Sequence, residues 1–167
     1  MHPYMVIPLV SCVASAMIGA AILARDPARR ANRLAALLIG GVSWWAACEV
    51  LWNAAGDPDV VLRLVKLSSI GWAGLGPVAL HLFCELAQDP APRIRRALPA
   101  LYAFSLAVVA ADLTTPLIHD GVVTRHAWGW SYGLARSYVA FYLFTMSCVM
   151  LALWVMWRTF RTSPSGA

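Results

Sequence analysis

Residues 4–24 read YMVIPLVSCVASAMIGAAILA, a run without one charged side chain. As a helix it spans about 30 Å, the thickness of a bilayer's hydrocarbon core. Lipid offers no partner for backbone polar groups, so a run of this length must close its hydrogen bonds internally, as a helix. The next residues are Arg25-Asp26-Pro27-Ala28-Arg29-Arg30. No basic segment precedes the run, and the more basic flank follows it. That pattern marks a retained span with its N-terminus outside, not a cleaved signal peptide.

Four further runs are of similar length and predominantly apolar: residues 34–55, 62–87, 97–117 and 134–157. Gly56-Asp57-Pro58-Asp59 ends the second and Gln88-Asp89-Pro90-Ala91-Pro92 the third, both turn signals. The expected fold is all-α: one bundle of about five transmembrane helices over residues 1–162. Residues 163–167 form a tail or the start of a linker. Composition agrees: 60% of residues are apolar and 13% charged, too apolar for a soluble domain of this size.

The formal net charge is +5. The arginines sit in short clusters between apolar runs, with no groove-sized basic patch, so the charge reads as topological and nucleic acid is set aside. One side collects nine cations: Arg25, Arg29, Arg30, Arg33, Arg93, Arg95, Arg96, Arg158 and Arg161. The other has four: Arg63, Lys66, Arg125 and Arg136. The positive-inside rule places the first group, and the C-terminus, in the cytoplasm.

Ionisable residues at membrane depth are costly and mark candidate sites. Glu49 lies roughly two turns from the outer end of the second helix, and Lys66 a similar distance into the third. The depths match, so a Glu49–Lys66 ion pair is expected, either as a structural clamp or as part of a ligand pocket. Trp45, Glu49 and Trp52 share one helix face. The third helix is rich in small and polar residues and belongs at the bundle centre. Pro77 is expected to kink it. His81 and Glu85, four residues apart, form a hydrogen-bonded pair near its cytoplasmic end.

The 118–133 connection is the one long loop. Its His126, Trp128 and Trp130 suit an interfacial belt, or a lid over an outward-facing pocket. The first, fourth and fifth helices read mainly as lipid-facing spans.

Cys12, Cys48, Cys84 and Cys148 lie apart in apolar runs, without CxxC or zinc spacing. No HExxH or carboxylate cluster suggests a metal. A haem on His81 lacks a second ligand, because His2, His119 and His126 all fall near the outer face. No cofactor is expected. No nucleophile–base pair is evident, so the chain does not read as an enzyme. Without a repeat of broken helices it does not read as a transporter.

Several anchors recur in a familiar order. Arg29-Arg30-Ala31-Asn32-Arg33 opens the second helix, and Trp44, Trp45 and Glu49 follow in it. Lys66, Gly71 and Gly76-Pro77 lie in the third, which closes on Leu82-Phe83. Trp130-Ser131-Tyr132-Gly133 precedes the last helix, which ends in Trp157-Arg158-Thr159-Phe160-Arg161-Thr162-Ser163. This order resembles the N-terminal membrane region of seven-transmembrane bacterial sensor histidine kinases. Glu49 and Lys66 fall where the family's polar positions fall. The resemblance implies a sensory input module in the bacterial cytoplasmic membrane. In the family, cytoplasmic PAS and kinase domains follow seven helices. The present sequence has neither, so a kinase partner is implied, in cis or in trans. The alternative expectation is an accessory subunit among other membrane protein subunits, as in a respiratory or photosynthetic complex.

Overall fold

A computed structural model describes residues 3–87 and 92–162. The Gln88–Ala91 part of the expected turn and the 163–167 tail lie outside the described residues, as does His2. Among the described residues five helical stretches are long and apolar enough to cross a bilayer. Large side chains such as Ile7, Met17, Leu106 and Phe160 point outward, as a lipid solvent allows.

After a short turn at Pro3–Met5, α1 (Val6–Arg25) runs against α2 (Arg30–Ala54). Asp26 makes the connection: its Oδ1 accepts from the Ala28 and Arg29 amides at 3.1 and 3.2 Å. Across the pair, Ser43 Oγ donates to the Cys12 carbonyl at 2.9 Å. Gly19 sits at ordinary contact distance from α2, where an added Cβ would lie 3.7 Å from the Ala36 carbonyl.

The third span is three helices end to end: α3 (Pro58–Leu67), α4 (Ser69–Trp72) and α5 (Leu75–Leu86). Pro58 opens α3, capped by Asp57, whose Oδ1 accepts from the Asp59 amide at 2.9 Å. Interruptions fall at Ser68 and at Ala73-Gly74. These interruptions lie ahead of Pro77, which occupies the first turn of α5, where a missing N–H disturbs least. Serines bind the loosened carbonyls. Ser68 Oγ donates to Val65 O at 2.6 Å and Ser69 Oγ to Lys66 O at 2.7 Å.

This span is the most buried of the five, with half of its apolar window inside the protein. Two glycine contacts seat it. A Cβ on Gly41 of α2 would lie 2.7 Å from the Gly71 carbonyl. One on Gly76 would lie 3.1 Å from Cys148 Cβ, on α7 (Tyr138–Thr162).

Beyond α6 (Pro92–Thr114), the 118–133 connection, expected as a long loop, is ordered into strands. It is a β-hairpin: β1 (His119–His126) pairs antiparallel with β2 (Gly129–Leu134). Val123 faces Tyr132 and Arg125 faces Trp130, around a two-residue turn, Ala127-Trp128. The turn is followed by Gly129 at φ 140°, a backbone that glycine accepts without strain. The last helix accordingly begins at Tyr138, not at Leu134, which belongs to β2.

Buried clusters fill the two ends of the bundle. Cys48, Trp52, Val61, Val65 and Trp130 pack at the hairpin end. Leu80, Cys84, Ile94, Leu98, Ala152 and Val155 pack at the arginine-rich end.

Candidate functional site

At the hairpin end, α1, the Glu49 face of α2 and the hairpin border a cavity of about 620 Å³. Helical spacing brings Trp45, Glu49 and Trp52 to one wall; Trp128, Trp130 and Tyr132 of the hairpin form another. Tyr4, Pro8 and Ser11 of the first helical stretch close the third side. The volume lies in the range of small-molecule sites. The hairpin aromatics thus line one side of that cavity.

The hairpin is fastened to α2 through Asn53. Asn53 Nδ2 donates to the Glu49 carbonyl at 3.0 Å, while its Oδ1 accepts from the Trp130 amide at 3.3 Å. The Trp130 indole donates to Ala55 O at 3.0 Å. Trp52 meets Tyr132 edge to face, with centroids 5.8 Å apart. At the tip, His126 stacks on Trp128 at 4.8 Å and shares a 2.8 Å hydrogen bond with Ser131 Oγ.

The Glu49–Lys66 ion pair is not formed. Lys66 Nζ donates instead to the Thr115 carbonyl at 2.8 Å, just past the end of α6. Helix ends leave carbonyls without intrahelical partners, and an ammonium is drawn to them. Equal depth on two helices does not fix which way each side chain turns. Lys66 turns to α6, and Glu49 turns to α1 and the hairpin. Among the described residues the half-buried Glu49 carboxylate has neither an ion-pair partner nor a hydrogen bond.

A second polar centre lies behind this cavity and was missed by the sequence reading. Asp112 of α6 is 0% exposed and His119 of β1 3%. His119 Nδ1 donates to the Asp112 carboxylate at 2.8 and 3.0 Å. The fourth span is therefore more than a lipid-facing helix. A carboxylate inside an apolar run was the available signal, and a histidine seven residues on was its partner. Trp72 and Tyr132 meet the imidazole edge-on at 6.1 and 5.1 Å. An adjoining cavity of about 210 Å³ is lined by Trp45, Trp72, His119, Tyr132 and Thr145. Thr145 Oγ1 there is buried without a hydrogen-bond partner. Trp45 and Tyr132 line both cavities. Burial, then Tyr138 and Glu49 nearby, push the Tyr132 phenol above its ordinary range.

His81 and Glu85 stand at the opposite, arginine-rich end. Their closest approach is 3.8 Å, too long for a hydrogen bond. Arg30 of α2 joins them instead. Its Nη1 is 3.2 Å from Glu85 Oε1, and its Nη2 donates to His81 Nε2 at 3.1 Å. An arginine only donates, so Nε2 accepts and Nδ1 carries the proton, which goes to Tyr102 Oη at 3.0 Å. Pro77 is fully buried and lines neither hairpin-end cavity. The expected site residues thus separate: Glu49 and the tryptophans around one cavity, Lys66 of α3 bonded to Thr115 beyond α6, His81 and Glu85 at the opposite end.

No curated protein and no solved structure shows significant similarity to this chain. A family model described as the N-terminal 7TM region of histidine kinase matches residues 7–166, almost the whole length, and the chain belongs to that family.

Proposed function

We propose, with that membership as premise, that the chain is the sensory input module of a signalling system, that it performs no catalysis itself, and that its stimulus enters at the Glu49 cavity. It sits as a multi-pass protein in the bacterial cytoplasmic membrane, hairpin outward and arginine clusters inward, as the charge bias favours. A histidine kinase is its partner. One observation carries the reading: among the described residues, a carboxylate without a partner faces an open, aromatic-lined cavity from a membrane-spanning helix, where a charge is costly unless used.

α2 supplies the link inward. It holds Glu49 near one end and, roughly 28 Å away by helical rise, Arg30 at the other. Arg30 bridges to His81 and Glu85 on α5. A ligand that favours one placement of the Glu49 end shifts the population of Arg30 contacts at the other. α5 packs on α7 through Gly76, and α7 carries the change onward.

The test is Glu49→Gln with the kinase partner present. The expected result is altered phosphotransfer output with unchanged membrane insertion. Unchanged output from a correctly inserted variant rejects the Glu49 cavity as the input site.

A further inference from the structure

Among the described residues fourteen line the Glu49 cavity, and Glu49 is the one acidic or basic side chain among those. The remaining chemistry is largely aromatic: Trp45, Trp52, Trp128, Trp130 and Tyr132. An anion would meet a carboxylate and no cation. A wholly apolar ligand would strip water from that carboxylate and return nothing. A bare divalent ion needs several oxygen ligands, and the cavity offers one carboxylate. An organic ammonium satisfies both features. Its charge pairs with the carboxylate, and its alkyl groups meet the exposed Trp45 and Trp128 rings, since aromatic faces attract cations through their quadrupoles. The hairpin already uses this attraction: the Arg125 guanidinium lies 5.4 Å over the Trp130 ring.

We propose that the Glu49 cavity binds an organic ammonium group, with Glu49 as counter-ion and Trp45 of α2 and Trp128 of the hairpin as its aromatic walls. The inference rests on the reading of this cavity as the input site and adds the chemical class of its ligand. Two sources present the group, a free solute and a lipid headgroup.

The full chain in phosphatidylglycerol nanodiscs, which carry no ammonium headgroup, is titrated with choline while tryptophan fluorescence is followed. Its neutral isostere, 3,3-dimethylbutan-1-ol, is titrated alongside. The expected result is saturable binding of choline, at least ~10-fold tighter than of the isostere. Glu49→Gln is expected to remove that preference, and Trp128→Ala, at the exposed hairpin tip, to weaken choline several-fold. Equal binding of choline and isostere by the native chain, or no saturable choline response, overturns the proposal even where Glu49→Gln fails to fold. Repetition in phosphatidylcholine nanodiscs separates the sources. Competition by the headgroup supports a lipid ligand, and undiminished choline binding supports a solute. Loss of the choline preference, with output still dependent on Glu49, rejects the ammonium class and leaves the sensory reading standing. Choline binding with output indifferent to Glu49 rejects the input-site reading instead.

Discussion

At the residue scale, one half-buried cation has a partner other than the one its position in the sequence suggests, and one buried carboxylate has a partner the sequence left unassigned. Depth along a helix is legible from residue counts. Azimuth is not, because it depends on which helices pack where. Lys66 was therefore assigned to Glu49 by depth, whereas the open end of α6 claims it through Thr115. This has a consequence. Lys66→Met removes one hydrogen bond and a carbonyl's partner, a loss of about 1–2 kcal/mol of stability, and leaves the behaviour of Glu49 unchanged. Output or ligand binding that changes in parallel with Glu49→Gln is the result that would contradict it. Asp112 is the opposite case. It is wholly buried and bonded to an imidazole that is itself 3% exposed. Asp112→Ala strands that imidazole N–H in a closed site, so a loss of about 2–3 kcal/mol is expected for a buried hydrogen bond to a charged group, read as a lower thermal midpoint in detergent. A midpoint change no larger than that of Lys66→Met refutes the ranking.

At the element scale, the five spans were readable because twenty apolar residues in lipid have essentially one solution. Their ends were less so. α2 begins at Arg30 and α6 at Pro92, both ahead of the apolar runs, since arginines can sit in a helix and still reach water. The hairpin was hidden for a different reason. Its strands hold Val122, Val123 and Thr124, but the turn is Ala127-Trp128, without the Asn-Gly or Asp-Gly signature of two-residue hairpin loops. Two glycines of α2 separate packing from propensity. At Gly41 an added Cβ would meet the Gly71 carbonyl at 2.7 Å, and backbone cannot step aside, so Gly41→Ala must part α2 from α4. A loss of about 1–3 kcal/mol is expected. Gly40 has nothing within 4 Å of its Cβ position. Gly40→Ala is expected to raise stability by about 0.5–1 kcal/mol through helix propensity alone. Thermal melts of the two variants side by side give opposite signs if the Gly41–Gly71 contact holds the third span.

At the scale of the whole molecule, the two ends differ in kind. The hairpin end has a cavity with an unpartnered carboxylate, and the other end has arginines engaged with Glu85 and with tryptophan faces. Arg161 lies 4.5 Å over Trp157 and Arg158 5.8 Å over Trp154. The clustering that separates these ends was visible in the sequence, and so was the helix face that lines the cavity. The hairpin along its side was open to two readings, and the buried centre behind it was not read at all, because both depend on how residues 118–134 fold back onto the bundle. The asymmetry makes a topological prediction. Arginine clusters resist translocation, so their end should face the cytoplasm and the cavity should open outward. Cysteine labelling with a membrane-impermeant maleimide reads this directly. The native thiols are poor competitors, with Cys48, Cys84 and Cys148 buried and Cys12 partly so. Ala127→Cys, in the exposed hairpin turn, is expected to label in intact cells. Ala28→Cys, in the exposed turn between α1 and α2, is expected to label only after permeabilisation. The reverse pattern would turn the molecule over, and any ligand of the Glu49 cavity would then have to reach it from the cytoplasm.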